Sequence, residues 1–155
     1  MGQAMRYDII ADTHGYLSDE LLHALEGADV IVHAGDICSA GDLRRLEDIA
    51  SVKFCLGNND YGYDYGSFAK RDYRFYSSKL RWQVCHYRER LDLAVCDIAV
   101  CGHTHRPFVE RDKRYGTLVM NPGSPTHPRA SGPSMGRIMA EEGQVLSAEI
   151  IRLAS

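Results

Sequence analysis

Apolar residues occur along this chain in two rhythms. Short unbroken runs, YDIIA at 7–11, the centre of 28–36 and the start of 51–60, have the length and β-branched content of buried strands. Between the first two, SDELLHALEG (18–27) sets Leu21, Leu22 and Leu25 at helical spacing, behind Ser18 as N-cap and ahead of Gly27 as a stop. Residues 40–50 repeat the helical pattern. Strands alternating with amphipathic helices predict a parallel βαβαβ start. Beyond residue 60 the order changes. Residues 61–79 read as a polar, tyrosine-rich loop, 80–86 as a strand, 88–95 (RERLDLAV) as a short helix and 97–102 as a strand. Residues 116–120, 136–140 and 144–153 read as strands separated by NPGS, PRASGP and EEG turns, so a mixed or second sheet is expected.

Composition narrows the picture. The chain has 155 residues, 45% hydrophobic and 25% charged, with no repeat or linker, so a single globular domain over 1–155 is expected. A net charge of −3 argues against a general nucleic-acid or anionic-membrane binder and leaves any phosphate chemistry local. The five cysteines form no CxxC pair and mostly sit in apolar runs, which suggests a reducing cytoplasm. No run approaches the ~18 apolar residues of a membrane span, and the N-terminus lacks the pattern of an export signal.

The polar groups that follow the predicted strands carry the chemistry. The first strand releases Asp12 and His14, the second Asp36, the third Asn58, the strand at 80–86 His86, and the strand at 97–102 His103 and His105. Open α/β folds bind ligands beyond the carboxyl ends of their strands, so these scattered residues can meet at one edge. Each signal alone is modest: GD and GN are ordinary turn dipeptides, and a lone histidine is more often structural. Their joint occurrence, each directly after an apolar strand, points to a metal centre. Imidazole, carboxylate and amide donors without thiolate suit manganese, iron, zinc, cobalt or nickel. Seven donors exceed the need of one ion. With Asp36 bridging, they supply four bonds to each of two ions and leave positions open for water, the arrangement that generates a hydroxide for attack on phosphorus.

The ordered series Asp12-x-His14, Gly35-Asp36, Gly57-Asn58-Asn59-Asp60, His86, Gly102-His103-Thr104-His105 and Asn121-Pro122-Gly123-Ser124 resembles the calcineurin-like metallophosphoesterases, and within them the small single-domain prokaryotic phosphodiesterases. The resemblance covers essentially the whole chain. It implies an α/β fold, a four-layer α/β/β/α sandwich of two mixed sheets. It also implies that Asp12, His14 and His105 hold a first divalent ion, that Asn58, His86 and His103 hold a second, and that Asp36 bridges. Manganese is the first expectation for both ions. The implied activity is hydrolysis of a phosphoester, most simply a phosphodiester, by metal-activated hydroxide.

Two departures bear on catalysis. Many relatives carry GNH, whose histidine protonates the leaving group, but here Asn59 stands there, and an amide is no general acid. Asn59 and Asp60 are therefore the candidate catalytic residues beside the ions, with a preference for esters of good leaving groups. Where relatives commonly have HGH, this chain has CHYRER (85–90), which places Tyr87 and Arg88 at the substrate pocket. The aromatic and basic residues of 61–79 read as loop packing or an oligomer contact, and a homo-oligomer is left open. His33 reads as a buried neighbour of the site, and His23 and His127 as non-ligands. The competing reading is a protein-interaction scaffold of the same fold, like the small subunit of the eukaryotic retromer coat. The intact set of seven ligands favours the enzyme. A metallo-β-lactamase-like hydrolase is excluded because HTHR lacks the HxHxDH continuation.

Overall fold

The computed structural model describes residues 3–154. Its elements in chain order are β1 (Met5–Ile10), α1 (Asp19–Ala24), β2 (Val30–His33), α2 (Ala40–Glu47), β3 (Ser51–Phe54), β4 (Asp72–Ser77), β5 (Leu80–Cys85), β6 (Ile98–Val100), β7 (Phe108–Arg111), β8 (Leu118–Asn121), β9 (Ser134–Glu141) and β10 (Gln144–Arg152). They form two five-stranded sheets, in the orders β10-β9-β1-β2-β3 and β4-β5-β6-β8-β7. β1, β2 and β3 are parallel, while β9 and β10 add antiparallel edges. The second sheet is likewise mixed, with β5, β6 and β8 parallel between antiparallel edges.

The sheets face each other across one apolar layer. Tyr7 and Ile9 of β1, Val30 and Val32 of β2, and Ile138 of β9 meet Trp82, Val84, Ile98, Val100, Leu118 and Met120 of the second sheet. Trp82 lies between two rings, with centroids 4.5 Å from Tyr7 and 5.2 Å from Phe75. Alternate residues of the same strands point outward: Ile10, Ile31 and Met135 pack under Leu21 and Leu25 around α1 and under Leu46 of α2. This side chain alternation is why the central strands are apolar on both faces. Ser18 caps the first helix as expected, accepting the Leu21 backbone N–H, and Ser39 caps the second by accepting that of Asp42.

Three differences from the sequence reading stand out. Residues 61–79 are not all loop: Asp72–Ser77 is a strand in which Tyr73 and Phe75 alternate inward toward the core. The polar residues between them masked a period-2 pattern. RERLDLAV makes only a 3-10 turn at Arg88–Arg90. Gln83, buried in β5, accepts the Asp92 N–H at 2.7 Å and diverts the chain, so that Leu91 and Leu93 cover Ala99 and Val119 as a loop. That loop supplies the outer layer over the second sheet. β7 was not foreseen; its four residues pair with β8 and are mostly exposed.

Candidate metal centre

The carboxyl ends of β1, β2, β5 and β6 open at one edge of the sandwich. The parallel ladder continues past the strands: Asp12 N–H donates to Gly35 O at 2.9 Å and His14 N–H to Asp36 O at 3.0 Å. Two loops that leave adjacent strands thus remain in register and present Asp12, His14 and Asp36 side by side. On the second sheet, Gly102 N–H donates to His86 O at 3.0 Å and sets GHTH beside His86. Asn121 Nδ2 donates to Gly102 O and Thr104 Oγ1, bracing that loop from β8. Ser124 Oγ donates to Asp12 O at 2.8 Å and accepts His127 N–H at 2.8 Å, so the NPGS turn supports the centre rather than lining it.

The side chains converge closely. Asp12 Oδ1 lies 3.8, 3.7 and 3.5 Å from the Nε2 atoms of His14, His86 and His105. Asp36 Oδ2 lies 3.6 and 3.4 Å from those of His14 and His86. His103 presents Nδ1, 3.3 Å from His86 Nε2. Among the described residues two groups have metal-binding spacing, Asp12 with His14 and His105, and Asp12 with Asp36 and His86. Asp12 is fully buried and Asp36 and His86 nearly so. Asp12 Oδ2 accepts His103 N–H at 2.9 Å, but Oδ1 is a buried oxygen with no hydrogen-bond partner. Such an atom is costly unless something positive meets it.

The imidazole tautomers follow from outer hydrogen bonds. His86 Nδ1–H donates to Ala34 O at 2.8 Å, and His105 Nδ1–H to His127 O at 2.6 Å, which leaves both Nε2 lone pairs turned to the cluster. Burial opposes the Asp36 charge, but His86 and the Asn59 N–H groups outweigh it and hold that carboxyl well below its usual range. Burial also disfavours a charged His86, yet Asp36 and Asp12 raise it above the ordinary value. His105 is raised chiefly by Asp12. Six residues here, Asp12, His14, Asp36, Cys38, His103 and His105, hold positive φ between 48° and 73°. L side chains rarely adopt this conformation, and its concentration at one edge marks strain of the kind found at functional sites.

In the GNND turn Asn58 and Asn59 are both exposed, and Asn59 donates its N–H to Asp36 Oδ1 at 2.9 Å and its side-chain amide to Asp36 Oδ2 at 3.0 Å. Asp60 turns inward and is buried. Its Oδ2 accepts the Asp36 and Gly57 N–H groups, both at 2.7 Å, and its Oδ1 accepts Cys38 N–H at 2.9 Å and Tyr65 O–H at 2.8 Å. Four donors occupy the carboxylate, so it faces loops rather than solvent. Gly57 is required beside it, since a Cβ there would fall on Asp36 Oδ1.

His33 is buried, accepts Gly35 N–H on Nδ1 and bonds Thr13 Oγ1 through Nε2 at 2.9 Å. His127 is not a bystander: its carbonyl orients His105 and its ring stands edge-on to His14 at 5.3 Å. A proline-rich loop gave no sequence signal for that. Tyr65 ties the tyrosine-rich segment to Asp60, while Tyr61 and Phe68 project into solvent. Cys55, Cys85, Cys96 and Cys101 are buried. Cys38 lies 3.9 Å from His14 Nδ1, with burial and the nearby carboxylates pushing its thiol up to about 12.

Two mixed sheets with carboxylates and imidazoles gathered at their strand ends define an α/β sandwich built to hold divalent metal. The chain belongs to the calcineurin-like phosphoesterase superfamily, whose domain matches residues 5–143. A probable metallophosphoesterase of Methanothermobacter thermautotrophicus is 32% identical over 164 residues, covering 96% of this chain and 92% of the relative. Vacuolar Protein Sorting 29 from Cryptosporidium parvum shares the fold with a TM-score of 0.75 at 17% identity, covering 96% and 98% of the two chains. A structure described as a novel archaeal phosphodiesterase does so with a TM-score of 0.72 at 21% identity, covering 95% and 100%. Among the described residues no helix is long and apolar enough to cross a membrane.

Proposed function

We propose that this chain is a dinuclear metal-dependent phosphodiesterase. The observation that carries the proposal is Asp12 Oδ1, a buried and unpartnered carboxylate oxygen ringed by three imidazole nitrogens at 3.5–3.8 Å. The donor set fits divalent ions, manganese first, with iron, zinc, nickel and cobalt as alternatives. Asp12, His14 and His105 would hold one ion, Asn58, His86 and His103 the other, and Asp36 would bridge. Such ions, when bound, supply a hydroxide nucleophile and offset the charge of the phosphate oxygens.

The chain's own residues hold this arrangement. Ala34 and His127 carbonyls fix the His86 and His105 rings, Asn59 orients both oxygens of Asp36, and Asp60 clamps the backbone beneath it. With Asn59 engaged in this way and Asp60 saturated, neither is placed to protonate a leaving group. Esters of acidic alcohols are then the preferred substrates. The cysteine chemistry fits a cytoplasmic protein. Hydrolysis of bis-p-nitrophenyl phosphate with added manganese, together with the metal content of protein purified without chelator, tests the reading. Absence of turnover with every divalent metal, from folded protein, would favour the protein-interaction scaffold, which the likeness to Vacuolar Protein Sorting 29 supports.

A further inference from the structure

Three exposed arginines share one groove. Arg106, Arg129 and Arg152, with Pro107, Ala130 and Ser131, line a groove of about 320 Å³. No carboxylate is among its walls. The arginines that form ion pairs among the described residues are Arg6, Arg45, Arg74, Arg81, Arg88 and Arg137, so none of these three has a carboxylate partner among those residues. Arg152 is held by Ser131 O at 3.1 Å. The chain as a whole carries −3, so the convergence is local.

The groove is joined to the catalytic edge. Arg106 directly follows His105, and Arg129 stands two residues after His127, whose carbonyl holds the His105 ring. Guanidinium groups recognise phosphate oxygens through paired N–H donors, and several around one concavity focus a positive field on an anion.

We infer that this groove is a second phosphate subsite, and that the substrate is a phosphodiester bearing a further phosphate that is bound but not cleaved. The inference rests on the phosphodiesterase reading and adds a substrate class to it: a phosphodiester that carries a second, uncleaved phosphate rather than a simple dialkyl diester. The extra phosphate docks against Arg106 and Arg129, with Arg152 flanking, while the scissile one lies at the carboxylate and imidazole cluster.

The manganese-loaded protein is assayed on thymidine 5′-p-nitrophenyl phosphate and on the same ester carrying a 3′-phosphate. The phosphorylated ester should have a kcat/KM about tenfold or more higher, through KM, and the advantage should shrink with salt. The double variant Arg106→Ala/Arg129→Ala should bring the ratio to about one, with Arg129→Lys intermediate. In a second measurement, calorimetry of metal-free protein with thymidine 3′,5′-bisphosphate should show binding weakened about tenfold in the double variant. Turnover of the plain ester with no preference for the phosphorylated one overturns the inference and leaves the phosphodiesterase reading standing. Arginine-dependent bisphosphate binding without kinetic preference marks a free-anion site and also overturns it. If neither ester is cleaved with any metal, the phosphodiesterase reading fails, and with it the substrate subsite.

Discussion

Asp60 Oδ2 accepts the backbone N–H of Asp36 at 2.7 Å and so fixes, from a turn 24 residues away, the loop that carries the Asp36 carboxylate into the cluster. The same oxygen takes Gly57 N–H, and its partner oxygen takes Cys38 N–H and Tyr65 O–H. One side chain therefore ties together the β2–α2 loop, the GNND turn and the tyrosine-rich segment. Asp60→Asn replaces one acceptor oxygen by an amide that faces donors. A loss of about 2–3 kcal/mol in stability is expected, together with weaker metal binding. The acid limb of the pH–rate profile should keep its position, because Asp60 holds loops rather than moving a proton. A shifted limb with unchanged stability would restore the proton-donor role.

Asp12→Asn offers a test of the unpartnered oxygen. The amide can donate to the Nε2 atoms around Oδ1, which satisfies an atom that lacks a partner in the native chain. Metal-free Asp12→Asn should be more stable than the metal-free native protein by about 1 kcal/mol, or roughly 2–4 °C in Tm. Native protein should gain about 2.7 kcal/mol with manganese at a hundredfold excess over Kd, and the variant should gain little. Equal stabilisation of both by metal would place the ion elsewhere.

His33 sets a pH dependence. Burial holds it neutral, with its pKa lowered from 6.5 to about 4. Between those values the unfolded chain binds a proton that the folded chain refuses, so stability is intact above pH 6.5 and falls as pH drops toward 4. The loss from this residue is on the order of 2–3 kcal/mol. His33→Asn, whose Oδ1 can replace Nδ1 as acceptor for Gly35 N–H, should be less stable at pH 7 but have a flatter profile between pH 6.5 and 4. Denaturant unfolding at several pH values measures this, and an equally steep profile would exclude His33 as its source.

Asn59→His restores the acid that many relatives carry in this turn, at the expense of the amide contact to Asp36. Turnover of alkyl phosphodiesters should rise by about ten- to a hundredfold relative to that of p-nitrophenyl esters. A parallel fall for both substrate types would mean that the amide's hold on Asp36 matters more than the missing acid.

The parallel βαβαβ start, the Ser18 cap of the first helix and the residues released at the strand ends could be read from the sequence. Each depends on local periodicity or on which residue follows an apolar run. The chain belongs to the family that the DxH, GD, GN and GHTH series resembles, because backbone turns at strand ends demand particular residues at fixed positions. β4 was hidden because its exposed positions are as polar as a loop, and RERLDLAV lost its helix when its Asp92 N–H donated to Gln83, a residue outside it.

Tertiary structure alone decided what the neighbouring side chains of GNND do. Sequence could not tell that Asn59 would face Asp36 or that Asp60 would be saturated by four donors from three segments. Nor could it show His127 orienting His105, or Arg106, Arg129 and Arg152 around one groove. The physical reason is the same in each case. Periodicity reports which face of an element is buried, whereas hydrogen-bond partners and converging charges are fixed only when loops distant along the chain are brought to the same edge of a sheet.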